Sequence, residues 1–240
     1  MSNWPVDGWS LFLLLIALVI SVLASYTMFN FIRNLRRTNN TFRFFWLAGG
    51  ILVFGIGLLA KHFMTTLALR LPLRVDWTFL LVSLFAVLLA LLTFVLLMMP
   101  DAYPNRLPLG GLILVAGIAI PTYLWTSGLD AAGFNLEPGL FILSLLILLI
   151  GVYGALLLAE NSRIHTRWPA GWVLGITLMG AHLSGVHAMR ETAGTASYAE
   201  FWRMDFQLFG VFIGICALLI LFSTMVIWYI DRRLTQMDER

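Results

Sequence analysis

The sequence predicts an all-α, polytopic membrane protein of seven transmembrane helices, built from three two-helix repeats and a final helix. Composition is the first observation. Hydrophobic residues make up 60% of the 240-residue chain, charged residues only 11%, and the mean hydropathy is +0.91. A soluble domain carries about 25% charged residues. Span length is the second: a crossing needs roughly 20 mostly apolar residues, and seven such stretches fit. The third is an internal period, which fixes the architecture wherever it occurs.

The spans run at about Trp9–Arg33, Phe44–Leu69, Trp77–Met99, Leu107–Ser127, Leu140–Ala159, Gly171–Met189 and Phe206–Ile230. Before the first, MSNWPVDGWS has no basic n-region, and the apolar run behind it is a full span, not a cleavable signal peptide. The second, fourth and sixth spans each end in a similar polar cluster. These read GIGLLAKHFMTTLAL from Gly55, AGIAIPTYLWTSGLDA from Ala116 and LGITLMGAHLSGVHAM from Leu174. Aligned, they place His62, Tyr123 and His182 at one repeat position, separated by 61 (123 − 62) and 59 (182 − 123) residues. Each repeat holds two crossings, so the third and fifth spans carry the chain back and every cluster returns to the same membrane face. The seventh span holds the lone cysteine, Cys216, read as a small buried hydrophobe. Residues 1–231 form the membrane domain and 232–240, RRLTQMDER, a short cytoplasmic tail.

Lys and Arg collect in cytoplasmic loops. With the N-terminus outside, Arg33, Arg36, Arg37, Arg43, Arg106, Arg163, Arg167, Arg232, Arg233 and Arg240 fall inside, against Arg70, Arg74, Arg190 and Arg203 outside. The chain is therefore expected in the cytoplasmic (inner) membrane with its N-terminus out and its C-terminus in. The three clusters then lie near the outer face, where the loop Arg190–Asp205 is positioned to cap them. The tryptophans Trp4, Trp9, Trp46, Trp77, Trp125, Trp168, Trp172 and Trp202 lie at or near span ends, an interfacial belt. A net charge of +3 spread over short loops reports topology and not nucleic-acid binding.

At these residues the sequence resembles the MHYT domain, a bacterial membrane sensor module named for a Met-His-Tyr-Thr motif in its even-numbered helices. The likeness extends over about the whole chain. It includes VISVLASYTMFNFIRNLRR from Val19, GIGLLAKHF with LALRLPLRVDW after it, GAHLSGVHAM from Gly180, and the closing IDRRL. The resemblance implies a seven-helix sensor whose motif Met and His residues hold copper near the outer face and detect a diatomic gas such as oxygen, carbon monoxide or nitric oxide. It also implies a signalling partner, since family members are often fused to cyclic-di-GMP enzymes or histidine kinases. This chain ends at Arg240, so it either stands alone or has had its enzymatic part cut away.

The motif methionines are replaced: Lys61 and Thr66 stand in the first copy, Thr122 and Ser127 in the second, Ala181 and Val186 in the third, and Tyr123 takes the place of a histidine. Thioethers are what would select Cu(I). His62, His182 and an additional His187 remain. Met179, His182 and Met189 stand at i, i+3 and i+10, on one face of a helix. Two or three imidazoles with one thioether suffice for Cu or Zn. Lys61 opposes a cation beside His62; it either pairs with Asp7, Asp76, Asp130, Glu137 or Glu191, or snorkels to the headgroups. Lys61, Thr66, Tyr123 and Ser184 are site-associated, with Tyr123 the hydrogen-bonding stand-in for histidine. The competing reading for each of these is helix–helix packing, and the glycine pairs (Gly49 and Gly50, Gly55 and Gly57, Gly110 and Gly111, Gly171 and Gly175) fit close helix approach. His165 is read as a solvated loop residue.

The expected function is a sensory or regulatory membrane module that binds a metal, copper first, or a diatomic ligand and signals through the last helix. Two alternatives stand beside it: a bis-histidine haem protein, and an accessory subunit whose metal site has decayed. Expected partners are the lipid bilayer, a membrane or cytoplasmic signalling protein and a second copy in a homodimer. No acidic residue lies well inside a span, against a transporter. Span seven lacks a lysine, against a retinal protein. No hydrolase triad, phosphate loop or paired carboxylates are present, so the chain is not expected to be an enzyme.

Overall fold

The structure is a computed structural model that describes residues 8–37, 42–69, 77–99, 103–127, 134–160, 167–191 and 206–238. Among these residues the helices are α1 (Gly8–Arg37), α2 (Phe42–Ala68), α3 (Trp77–Leu97), α4 (Arg106–Ser127), α5 (Pro138–Glu160), α6 (Arg167–Ala188) and α7 (Phe206–Asp238). Runs of Leu, Ile, Val, Phe and Ala form helices here for a solvent reason. Hydrocarbon offers the backbone no hydrogen bonds, so every N–H and C=O must be satisfied within the segment. The polar residues of α1 obey the same rule. The hydroxyls of Ser21, Ser25 and Thr27 and the amide of Asn30 each donate to the carbonyl four residues earlier, at 2.7–3.0 Å.

Among the described residues four helices (α1, α2, α4 and α5) are long and apolar enough to cross a membrane, and α3 and α7 contain the shorter apolar runs Leu81–Leu97 and Gly210–Val226. Large apolar side chains such as Leu84, Ile150 and Phe222 stand exposed on the outer faces of α3, α5 and α7. An apolar exterior of this kind suits lipid and not water. The chain is a helical membrane protein.

Helices α1 and α7 and the strand pair depart from the sequence expectation. Helix α1 runs four residues past Arg33, and α7 continues unbroken from the apolar segment through Asp238. At 1.5 Å per residue the 33-residue α7 is about 50 Å long, well over a hydrocarbon thickness of roughly 30 Å. Apolarity limits a span; it does not end a helix. The all-α expectation also needs one addition: β1 (Phe134–Leu136) and β2 (Met189–Glu191) pair antiparallel, with Leu136 opposite Met189, between the start of α5 and the end of α6.

Helix contacts run α1–α2–α3–α4–α5–α6 and back to α1, and α7 lies against α1 and α2. Helix α1 therefore touches α2, α6 and α7. Its approach to α6 is set by Gly171 and Gly175, a small-xxx-small pair. A Cβ at Gly175 would lie 2.6 Å from the Cα of Val22, and one at Gly171 would lie 3.1 Å from the Cα of Tyr26. The ring of Tyr26 stacks on Trp168 at 4.2 Å.

A charged cluster ties helix ends together. The Arg36 guanidinium donates to the Leu97 carbonyl (Nε, 2.9 Å) and to both carboxylate oxygens of Glu160 (3.2 Å each), and Arg106 pairs with the same carboxylate. The C-terminal ends of α1, α3 and α5 and the N-terminal end of α4 thus meet at one end of the bundle. The β1–β2 ladder lies at the other.

Candidate functional site

His62 stands six residues before the end of α2 and His182 six before the end of α6. Each is therefore about 9 Å along its axis from the helix terminus. Both helices pack on α1, and this brings the two imidazoles into edge-to-face contact, with ring centroids 5.2 Å apart and planes at 77°. Both residues are buried, at 7% and 2% exposure. Neither ring nitrogen of His182 has a hydrogen-bond partner among the described residues. Buried polar groups are almost always paired, so such an exception calls for a reason.

Met179 lies one turn before His182 on α6, and its sulfur is 3.8 Å from the hydroxyl of Thr65, one turn beyond His62 on α2. The buried cluster is therefore His62, Thr65, Met179 and His182. Thr66 is buried beside it, but its hydroxyl is spent on the His62 carbonyl at 2.8 Å. Lys61 is 2% exposed and lines a cavity between α2, α3 and α4. Of its suggested partners, Asp7, Asp76 and Asp130 lie outside the described residues, as does His165.

Tyr123 occupies a separate position. Its hydroxyl meets that of Ser144 on α5, its ring packs on Phe141 with centroids 4.7 Å apart, and it presses on α6 at Gly185. Three helices converge on this side chain. Ser184 is half-buried, and His187 is exposed with Nδ1 2.7 Å from the Leu183 carbonyl of its own helix. The helical-face reading of Met189 does not apply: α6 ends at Ala188, and Met189 opens β2 because the chain pairs with Phe134–Leu136 there.

Two residues were missed in sequence. Thr65 was legible, since i+3 from His62 shares its helical face. Ser144 was not, because α5 carries no repeat of the cluster.

The donors assembled are two imidazoles and a thioether. Among the described residues no group of three or more His, Cys, Asp or Glu side chains could hold a metal. A neutral, soft donor set of this kind suits Cu(I) better than a hard dication. Lys61 stands next to His62 on α2, and an ammonium there would repel an ion in proportion to the ion's charge. Such repulsion would favour a monovalent ion over a divalent one. One ion bound to two nitrogens at roughly 2.0–2.1 Å needs neighbouring rings, and these two have centroids 5.2 Å apart.

Two curated proteins resemble the chain along most of its length. The "Bifunctional diguanylate cyclase/cyclic di-GMP phosphodiesterase MucR" of Pseudomonas aeruginosa is 26% identical over 239 residues, covering 95% of this chain and 35% of that protein. The "Signaling protein YkoW" of Bacillus subtilis is 24% identical over 253 residues, 95% of this chain and 30% of that one. The chain thus spans about a third of the length of these relatives. No family model and no solved structure matches it. What it shares with both is a segment of a signalling protein.

Proposed function

We propose that this chain is a seven-crossing sensory module of the MHYT type that holds a copper ion between His62 and His182 and passes its state to a cyclic-di-GMP signalling partner through α7. The contact between two buried imidazoles on repeat-related helices, with the His182 nitrogens unpartnered among the described residues, carries the reading. Bound copper would supply a centre for a diatomic gas. The chain's own part is to bury the donors, exclude water and keep Met179 beside them. Direct ring-on-ring contact favours a bare ion over haem, whose macrocycle would have to separate the two imidazoles.

A route outward exists in the packing. Helix α2 carries His62 and lies against α7, where a Cβ at Gly214 would fall 1.8 Å from the terminal methyl of Met64. Packing of Met64 on Gly214 would let a shift of α2 reach α7, and α7 continues about 12 Å (eight residues) past Ile230. The arginine bias supports a topology in a bacterial inner membrane with the histidine pair near the outer face and the end of α7 in the cytoplasm. The module itself is not catalytic; any catalysis belongs to its partner.

Counting copper, zinc and iron per chain in protein purified in mild detergent tests the proposal. About one copper that disappears in the His62→Ala, His182→Ala double variant supports it. Iron with a Soret band would replace copper by haem, and no metal after growth with copper would favour an accessory subunit.

A further inference from the structure

Between α2, α3 and α4 lies a cavity of about 370 Å³, within the range of roughly 300–1,000 Å³ typical of small-molecule sites. On α2 its wall extends from Ala48 to Lys61, which is about 20 Å of helix. The wall is apolar almost throughout. Leu52 and Val87 border it and are 59% and 45% exposed, so it opens on the outer face of the bundle, toward lipid. At Gly55 the cavity reaches the backbone: a Cβ there would meet nothing within 4 Å.

One charge breaks this apolar lining. Among the described residues Lys61 is the only charged one of the wall, it is 2% exposed, and no carboxylate pairs with it. Its Cα lies seven residues, about 10 Å, inside the end of α2. An ammonium buried at that depth is costly unless it is paired. A long apolar slot with a single cation at one end is complementary to a single apolar chain that ends in an anion. A diacyl phospholipid is a poorer match, because its phosphate belongs at the interface and its second chain has no place in the slot.

We propose that this cavity binds a long-chain fatty acid, its carboxylate on the Lys61 ammonium and its chain directed along α2 toward Leu52 and Val87. The acid supplies a counter-charge that none of the described carboxylates provides, and the exposed mouth lets it enter sideways from the bilayer. This does not depend on copper at the histidine pair.

Equilibrium binding of radiolabelled palmitate and of neutral hexadecanol to the delipidated full chain in maltoside, with a copper chelator present, tests it. One palmitate per chain should bind, roughly ten- to a hundred-fold more tightly than hexadecanol, as a charge-assisted hydrogen bond requires. Lys61→Met should erase the preference while hexadecanol still binds. Gly55→Phe, whose ring enters free space, should weaken both ligands at least ten-fold. Equal affinity of the wild-type chain for both ligands would overturn the proposal. So would palmitate binding untouched by either variant, displacement by phosphatidylglycerol but not by palmitate, or a Gly55→Phe effect confined to oligomeric mass, which would make the cavity an interface between copies.

Discussion

Replacing Glu160 by glutamine removes one charge and almost no volume from the cluster that ties four helix ends together. The side-chain exposures set the magnitude. Arg106 is 6% exposed, Glu160 24% and Arg36 28%. A fully exposed ion pair contributes about 0–1 kcal/mol, whereas removing one partner of a buried pair costs about 3–5 kcal/mol. This cluster lies between those limits. Glutamine also retains one carbonyl acceptor, which holds the expected loss near about 2 kcal/mol. For a chain of 150–250 residues that lowers Tm by about 4–8 °C. Thermal unfolding followed by circular dichroism, at fixed detergent and salt, measures it. Arg36→Met also forfeits the Leu97 carbonyl, so it should cost at least as much alone. The double variant should fall short of the sum, because both changes break one contact. A Tm shift under about 1 °C for Glu160→Gln, or strict additivity with Arg36→Met, would refute the view that this carboxylate holds the helix ends together.

Two alanines distinguish packing from propensity. Gly175→Ala should destabilise by about 1–3 kcal/mol because its Cβ meets backbone atoms of Val22, whereas Gly55→Ala should be neutral or stabilise by up to about 1 kcal/mol; the two Tm values check it. Tyr123→Phe keeps the ring on Phe141 but removes the hydroxyl from Ser144, so it should cost about 0.5–1.5 kcal/mol and leave the metal content unchanged. A loss of metal in that variant would place the phenol at the copper. His187→Ala should likewise leave metal content unchanged while His182→Ala abolishes it, because His187 is exposed and bonded to its own helix; elemental analysis of the two variants separates them.

Helices were legible because an apolar environment leaves the backbone one solution, so runs such as Trp77–Leu97 and Pro138–Glu160 fell close to the expected bounds. The ends were less so. Hydropathy alone stops α7 at Ile230, yet Asp231–Asp238 continues the helix, since charged residues form helix readily in water and propensity, not apolarity, governs there. It likewise carried α6 through Met189, where pairing with Leu136 prevails over continued helix. The repeat alignment put His62 and His182 at one level, and the fold brings them into contact. It could not show that Tyr123, at the same repeat position, faces Ser144 and Gly185 instead, because which face of α4 turns inward depends on packing against α5 and α6. Lys61 read as a threat to the adjacent imidazole. Its place at the end of an apolar cavity depends on α3 and α4, which adjacency along the chain does not report. The Arg36–Glu160–Arg106 cluster joins residues far apart in sequence and was visible only as loop charge.

X-ray absorption of the Cu(I)-loaded chain tests the central claim most directly. Scattering from two imidazoles at about 2.0 Å and one sulfur at about 2.3 Å is expected, distances like those of zinc on imidazole and sulfur. The sulfur should be lost in Met179→Leu and the imidazole pattern in His62→Ala with His182→Ala. A chain that takes up no Cu(I), or a spectrum that those substitutions leave unchanged, would contradict it.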